Sequence, residues 1–492
     1  MPQDDVTEDV VLGAAVTRLA EEIRRLRVAA GLSHAQLAVK VGYSREYVRR
    51  AESPVKGLPS AELTHALDRE LGAGGALLAL REEAEAARRT RRRSRPRALA
   101  GMTTAKAGVP GLAHDSGTEN NLVVQAPPGR FFAGASIAAK AFPASDNGRV
   151  LATVPEGFGE SSFLRRPRRG LVIGITENEH GVSSFGLDTR HARRRLTGAL
   201  EETRLLISRA YALDDLTLGI LWSMANLDEA LLDDDTTLAE CRGQLAVYEQ
   251  LPRSAAGRDI AADLAPVSQM WLGSQFCANH ILRNSDKLTA TPSYWTREQR
   301  GEEASTWLLF AHKYAYLQQS TGTDTTPTRA FCVPPSTVAA SAKPERILLL
   351  LAVALMESFG ITVDICSEPE YAALPGFVFD GHRHAIVANW VGADGIWQVD
   401  VPDTTPLLRE FADATGYAHA HSVIAAETPV ARLRALAAYL DLDWRWLVRR
   451  CHELGEYGSA GIAQPRSRLL STDGVDQACR FVASADRANQ LA

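Results

Sequence analysis

The stretch Gly31–Glu52, GLSHAQLAVKVGYSREYVRRAE, decides the fold of the N-terminal region. Apolar residues at helical spacing give each half of it a buried face: Leu37, Ala38 and Val41, then Val48 and Ala51. Between the two halves Gly42 supplies a tight turn, and Ser44 stands where the second helix needs an N-cap. The pattern predicts two short helices joined by a turn.

The second of these helices carries charge on the side away from its apolar residues. At about 100° per residue, that side holds Arg45, Glu46, Arg49 and Arg50. A short helix with an apolar back and an arginine-rich front fits the major groove of DNA. The alternative is a solvated face with one i,i+4 ion pair between Glu46 and Arg50.

The pattern resembles the helix-turn-helix of phage-repressor-like regulators, the XRE or Cro/repressor type, and the match extends beyond the motif. Leu19–Ala30 is similar to the first helix of that domain, Pro59–Leu71 to the fourth and Gly74–Arg89 to the fifth. The resemblance implies an all-α, five-helix DNA-binding domain over residues 15–86. It further implies a sequence-specific transcription regulator that binds double-stranded DNA at a pseudo-palindromic operator as a homodimer. This five-helix pattern favours DNA binding over a merely solvated face.

The resemblance also implies roles for individual residues. Its base-reading positions fall on Arg45, Glu46 and Arg50, with Arg49 nearby. Its phosphate-contacting positions fall on Ser33 and His34, at the start of the preceding helix, and near Lys56 in the following loop. The family often has glutamine where this chain has His34. A neutral histidine can still donate a hydrogen bond to phosphate. The candidate DNA-binding residues are Ser33, His34, Ser44, Arg45, Glu46, Arg49, Arg50 and Lys56.

Composition and charge support a DNA-binding head on a larger body. The chain has 47 Arg against 7 Lys, a bias typical of a GC-rich genome such as that of an actinomycete. Residues 18–97 hold 18 Lys and Arg against 10 Asp and Glu, whereas residues 98–492 hold 36 against 45. A basic head on an acidic body is expected when one end of the protein contacts DNA.

The other composition signals exclude several classes of protein. The six cysteines are scattered, which indicates neither a zinc site nor a disulfide framework. No signal peptide opens the chain, and the longest apolar run, Ile347–Met356, is too short to span a bilayer. We therefore expect a cytoplasmic protein with no membrane partner, and we interpret this run as a buried helix.

The organisation along the chain indicates more than one domain, since 492 residues suffice for two or three. An arginine run followed by Gly, Pro, Ser and Thr predicts a basic flexible linker over residues 87–121, which either contacts the DNA backbone or serves as a solvated tether. Residues 122–342 indicate a β-rich part and then, from 189 to 320, mainly helices. Residues 343–492 indicate an α+β domain. The expected fold is multidomain, with a mixed α+β, largely helical C-terminal region after the all-α domain.

One group of residues in the last domain has the residue types of a catalytic site. The stretch 382–403 weakly resembles the His–Asp half of a transglutaminase-like core, with His384 and Asp400 as the pair that would activate a cysteine. That family places its cysteine at the start of the preceding helix, where this chain has Glu345. Cys332 lies too far upstream and Cys366 follows the helix. If the fold resemblance holds, it implies a catalytically inactive copy used for binding.

Two other histidine patterns compete for the same region. His382 and His384 match the opening of a cupin metal motif, because residues i and i+2 of a strand share a face, but the expected acidic ligand is absent. His419 and His421 form a second such pair without nearby partners. Core or surface histidines account better for both pairs. We expect no catalytic residue, no metal and no cofactor.

The size of the C-terminal region motivates the functional hypothesis. Reading DNA needs about 70 residues, so the remainder is expected to dimerise, to sense a small molecule or to bind a protein effector. Two rivals remain open: a DNA-tethered enzyme with its chemistry around His384 and Asp400, and a non-catalytic interaction scaffold. A second basic group in one loop, Arg165, Arg166, Arg168 and Arg169, is weak evidence for an anion site.

Overall fold

The computed structural model describes residues 3–43, 45–53, 59, 61–93, 112–114, 121–178, 181–197, 202–320 and 326–490. It divides the chain into two compact units. The described part of the N-terminal unit ends at residue 93, and that of the C-terminal unit begins at residue 112. Among the described residues, no helix combines the length and the apolar character needed to cross a bilayer.

The described part of the N-terminal unit is helical throughout. Its helices are α1 (Gln3–Ala29), α2 (His34–Val41), α3 (Arg45–Ala51), α4 (Ala61–Glu70) and α5 (Ala76–Arg93). They enclose one apolar core to which all five contribute, through side chains that include Leu19, Leu37, Val48, Leu63 and Leu77. The order of the helices agrees with the five-helix arrangement expected from the sequence.

The outer helices of this unit are longer than the sequence pattern predicts. Helix α1 begins at Gln3, well before the predicted helix start at Leu19, and α5 continues to Arg93, beyond the predicted helix end at Arg89. The two helices pack along each other, with an ion pair of 2.5 Å between Arg18 and Glu83. Each helix thereby gives the other a surface along which to extend, so the predicted linker 87–121 begins within a helix. Residues 94–111 and 115–120 of that linker lie outside the described residues.

The C-terminal unit opens with a sheet of seven described strands. These are β1 (Leu112–His114), β2 (Asn121–Ala126), β3 (Ala135–Asp146), β4 (Val150–Val154), β5 (Gly170–Asn178), β6 (Gly181–Asp188) and β7 (Thr203–Ile207). Their order is β1-β2-β3-β4-β7, and β5 runs parallel to β3 with β6 at its other edge. Helix α6 (Thr189–Leu196) lies between β6 and β7 in the sequence.

A second sheet follows, again with seven described strands. These are β8 (Ser254–Ala256), β9 (Ser293–Thr296), β10 (Thr328–Cys332), β11 (Thr362–Cys366), β12 (Phe377–Phe379), β13 (Ala385–Asn389) and β14 (Trp397–Asp400). The order is β11-β10-β9-β12-β13-β14-β8. Strands β9, β10 and β11 are mutually parallel, and every other pairing is antiparallel.

The C-terminal unit holds further described helices before, among and after the strands of this second sheet. They are α7 (Asp215–Asp233), α8 (Asp235–Leu245), α9 (Pro266–Asn284), α10 (Gly301–Leu309), α11 (Ala311–Ser320), α12 (Pro335–Ala340), α13 (Lys343–Ser358), α14 (Thr405–Ala420), α15 (Pro429–Tyr439), α16 (Trp444–Tyr457), α17 (Ala460–Ala463) and α18 (Asp473–Gln490). On one face, Trp397 stacks on Phe276 of α9 with ring centroids 3.8 Å apart. On the other, Phe377 stacks on Phe411 of α14 at 3.9 Å. Both faces of the sheet are therefore buried.

The boundary expected at residues 342/343 needs correction. Strands β8–β10 precede it and β11–β14 follow it, yet all seven belong to one sheet in one compact unit. The long helix α13, whose residues 347–357 are all buried as the sequence predicts, lies inside this unit against α7, α10 and α18. The region 189–320, predicted as mainly helical, also contributes β7, β8 and β9. Strand β9 is buried on both faces and shows no alternation of apolar and polar residues, and β8 has only three residues, so the sequence pattern does not reveal these two strands.

Candidate nucleic-acid interface

The first helix of the motif, α2, begins with a reciprocal cap. The Ser33 hydroxyl accepts a hydrogen bond from the Gln36 amide at 3.2 Å, and the Ser33 amide donates to the Gln36 side-chain oxygen at 2.9 Å. Two of the amide groups that a helix leaves unsatisfied at its start are thus satisfied. The hydroxyl hydrogen of Ser33 is not used by this cap, so the exposed side chain can still donate to a phosphate, as its predicted role requires.

The turn between the two helices has the geometry that the sequence predicts. Gly42 has φ +75°, in the left-handed region, and its amide donates to the Ala38 carbonyl. A side chain at this position would strain the backbone whatever space is available. Leu37, Ala38 and Val41 are buried, as expected.

The second helix, α3, turns its apolar residues into the core and its arginines outward. Val48 and Ala51 are buried, Arg45 and Arg49 are exposed, and Arg50 is half-buried. This arrangement agrees with the amphipathic helix predicted from the sequence. Ser44, Lys56 and the side chain of Glu46 lie outside the described residues, so their predicted DNA contacts stay predictions.

A cluster that the sequence did not reveal joins the ends of three helices. Arg27, near the end of α1, holds Glu52 through Nε–Oε1 and Nη2–Oε2 distances of 2.5 and 3.0 Å. The same guanidinium donates to the Leu32 carbonyl at 2.8 Å. His34, the first residue of α2, places Nε2 at 3.0 Å from the Glu52 carboxylate. Glu52 directly follows α3, so one carboxylate links the end of α1, the start of α2 and the end of α3.

The electrostatics of this cluster favour its ion pair. Burial alone would raise the pKa of Glu52, but the hydrogen bonds from Arg27 and His34 outweigh burial and hold the pKa below its usual range. The contact also restricts His34. When Nε2 donates to Glu52 in the neutral imidazole, Nδ1 has no hydrogen, and only the imidazolium could donate to a phosphate as well. The phosphate contact predicted for His34 therefore depends on its protonation.

The residues of the weak transglutaminase-like resemblance do not assemble as that resemblance implies. His384 and Asp400 lie at the ends of neighbouring strands, but the register pairs Asp400 with Val387. Val387 is three positions after His384, and side chains at that spacing along a strand point to opposite faces of the sheet. The His384 Nδ1 atom lies 3.1 Å from Asp380, whereas Asp400 accepts from the Val401 amide at 2.8 Å. Asp380 is therefore the carboxylate that orients His384.

Asp380 organises the turn between β12 and β13 as a whole. One of its oxygens accepts from the amides of His382, Arg383 and His384 at 2.9–3.0 Å, and the other accepts from the Thr289 hydroxyl at 2.9 Å. Burial would raise the pKa of Asp380, but these hydrogen bonds hold it well below its usual range. The proximity of Asp380 and His384 follows from a turn signal, FDGHRH, that sequence reasoning passed over.

The cysteines and the remaining histidines are placed apart from His384. Cys332 and Cys366 face each other in register on β10 and β11, and β10 is three strand spacings from β13, on the order of 14 Å. Burial raises the pKa of the Cys332 thiol to about 12. His419 pairs with Asp364 at 3.2 Å, and His421 lies against the ring of Tyr417. Within the described ranges, His, Cys, Asp and Glu do not gather in groups of three that could hold a metal.

The second basic group separates into exposed and buried members. Arg165 and Arg168 are exposed and form surface ion pairs with nearby acidic residues. Arg169 is buried and donates to Asp188 at 2.9 Å and to Asp228 at 2.6 Å. Arg168 and Arg169 line a cavity of about 390 Å³ beside α7, together with two further arginines and three carboxylates. Arg168, Arg169 and Arg466 are already paired with carboxylates, which weakens the charge argument for an anion site there.

Comparison with known proteins identifies the N-terminal unit. A family model described as a helix-turn-helix domain matches residues 18–81, which include α2, the turn at Gly42 and α3. No curated protein matches the chain, and no solved structure matches it. The chain therefore contains a helix-turn-helix DNA-binding domain in its N-terminal unit.

Proposed function

We propose that this protein is a sequence-specific transcription regulator of the XRE type, which reads the major groove with α3 and carries a sensing and dimerising C-terminal unit. The observation that carries the proposal is the orientation of α3. Val48 and Ala51 anchor it in the core, so Arg45 and Arg49 necessarily face outward. An amphipathic helix held in this way is the element that such domains insert into the groove.

The cluster around Glu52 supports the same role. Base reading needs a helix whose angle is held by its neighbours, because a bidentate contact to a base edge tolerates little misplacement. Arg27 and His34 hold the end of α3 through one buried carboxylate. The recognition helix is therefore positioned before DNA arrives.

We further propose that the C-terminal unit is not a thiol acyl-transfer enzyme. Such chemistry needs a thiolate beside an oriented histidine. Burial keeps the Cys332 thiol protonated, and His384, directly before β13, is three strand spacings from the strand that holds Cys332. We propose instead that the unit binds a ligand and joins two chains.

Binding titrations with the full chain test the reading of bases. Operators selected from a genome-wide binding map are compared with scrambled duplexes. We expect Arg45→Ala and Arg50→Ala each to cost about 1–3 kcal/mol on the operator and to relax preference at one base position. Arg25→Ala is the matched control, because Arg25 is exposed on α1 and paired with Glu22. Equal weakening on operator and scrambled duplexes would show that these arginines contact only phosphate.

A further inference from the structure

A small cavity of about 60 Å³ lies in the C-terminal unit between the second sheet and helices α9–α11. Its charged lining residues are Arg297, Glu298, Lys313 and Arg329. Three cations thus face one carboxylate. Aromatic side chains form much of the remaining wall: Tyr294, Trp295, Trp307, Tyr316, Phe377 and Trp390.

Glu298 is already occupied by groups other than Arg329. Its Oε1 atom accepts from Lys313 Nζ at 2.9 Å and from Trp307 Nε1 at 3.1 Å. Lys313 also donates to the Thr306 hydroxyl at 2.8 Å and lies over the Trp307 ring. Lys313 and Glu298 therefore neutralise each other, and the charges of Arg297, which is half-buried, and of Arg329, which is buried, are left over.

Arg329 is buried without a carboxylate partner in the described part of the chain. Only 4% of the residue is exposed. Its Nη1 atom donates to the Thr296 hydroxyl at 2.8 Å, and the guanidinium lies over the rings of Tyr294 and Trp307 at 4.4 and 4.9 Å. An arginine cannot lose its proton to escape this position, so a buried and uncompensated guanidinium is costly.

The unused edge of Arg329 has the shape of a carboxylate site. Its Nε and Nη2 atoms make no hydrogen bond within the described residues, and the Tyr316 hydroxyl, which is close to Arg329 and to Tyr294, makes no bond of good geometry there either. Those two nitrogens form the fork that receives both oxygens of a carboxylate. Arg432 in the same unit uses the same two atoms to bind Glu357, each at 2.7 Å.

We propose that this cavity binds a small monocarboxylate, held by the Nε–Nη2 edge of Arg329 and by the Tyr316 hydroxyl. The volume sets the size, since about 60 Å³ holds roughly four to six water-sized atoms. The aromatic walls favour a short apolar or planar tail. Burial raises the pKa of Tyr316, which keeps its hydroxyl protonated and able to donate to a carboxylate oxygen.

The site belongs to the C-terminal unit alone, and only the further claim that its occupancy changes DNA affinity rests on the proposed function. Calorimetry and thermal unfolding of the full chain test the site with acetate, propionate and pyruvate at constant ionic strength. We expect at least one of these to bind saturably at one site per chain, and acetamide, the neutral analogue of acetate, not to bind. Equal binding of acetamide, or saturable binding by chloride or phosphate with none by the carboxylates, would overturn the assignment.

Variants locate the site. Arg329→Lys keeps the charge and removes the fork, so carboxylate affinity should fall by about tenfold or more. Tyr316→Phe, which keeps the ring and is the safer variant for folding, should weaken binding severalfold. Arg434→Lys, on the exposed face of α15, is the matched control and should bind as the parent does. Unchanged affinity in both cavity variants would place the anion elsewhere and contradict the proposal.

The regulatory claim has a separate readout. DNA titrations with and without the saturating carboxylate should differ for the parent and agree for Arg329→Lys. Anion binding without any effect on DNA affinity would contradict the regulatory claim but not the assignment of the carboxylate site. Failure to bind a specific duplex removes the proposed function without bearing on the calorimetry.

Discussion

At the scale of single residues, two neighbouring glutamates at the start of α10 join the two sheets of the C-terminal unit. The Glu302 carboxylate accepts from the backbone amides of Arg130, Phe131 and Phe132 at 2.9–3.2 Å. These amides lie in the loop between β2 and β3, about 170 positions away. A side chain on Gly129 would meet the Glu302 carboxylate at 2.0 Å, which accounts for glycine there.

Glu303 is expected to make stability depend on pH. Burial raises its pKa to about 7, although amide hydrogen bonds and Arg130 oppose the shift. Because the folded-state pKa lies above the unfolded one, the favourable contribution is complete below about pH 4.5 and is lost as the pH rises to 7. The change amounts to no more than about 3 kcal/mol.

Denaturant unfolding from pH 4.5 to 7.5 measures this effect. Glu303→Gln should remove that part of the pH dependence, while Glu156→Gln, at an exposed turn position, should preserve it. Parallel curves for the parent and Glu303→Gln would contradict the shifted pKa.

At the scale of elements, the sequence predicts those helices and strands that are determined by local patterns of apolar residues and turn residues. The helices of the DNA-binding motif and the buried helix α13 occur where periodicity and turn residues indicate them, and residues 343–492 hold both strands and helices as expected. Strands β9 and β10 were missed because four or five residues that are buried on both faces show no alternation, and β8 because three residues are too few to show a period. The Arg27–Glu52–His34 cluster was missed for a different reason: its members are up to 25 positions apart and meet only in the folded domain.

That cluster yields a prediction for the motif. Glu52→Gln removes the charge that holds Arg27 and His34, so we expect a loss of about 1–3 kcal/mol in the local stability of α1–α3 and weaker operator binding. Hydrogen exchange of the backbone amides in the full chain measures it. Glu22→Gln, which breaks only the exposed pair with Arg25, is the control and should change exchange little. Equal protection in the two variants would mean that the cluster does not fix the helices.

At the scale of the whole molecule, the proposed homodimer predicts a spacing rule. Two recognition helices related by a twofold axis contact half-sites about one DNA turn apart. We expect two chains per operator by light scattering, and a loss of tight binding when about five base pairs are inserted between the half-sites. One chain per duplex, with affinity insensitive to that insertion, would exclude the symmetric arrangement.

The order of the strands in the second sheet has a consequence for synthesis on the ribosome. Strand β8 pairs only with β14 within the described residues, so residue 254 cannot form its strand pairing until residue 399 has been synthesised. At about 5–20 residues per second, that delay is roughly 7–30 s. The helix-turn-helix, whose buried core residues lie between Leu19 and Leu77, emerges complete long before. A nascent chain therefore has a folded helix-turn-helix domain while the C-terminal unit, which we propose controls it, is still incomplete. If translation stops early, the released fragment contains the DNA-binding domain without the proposed regulatory unit.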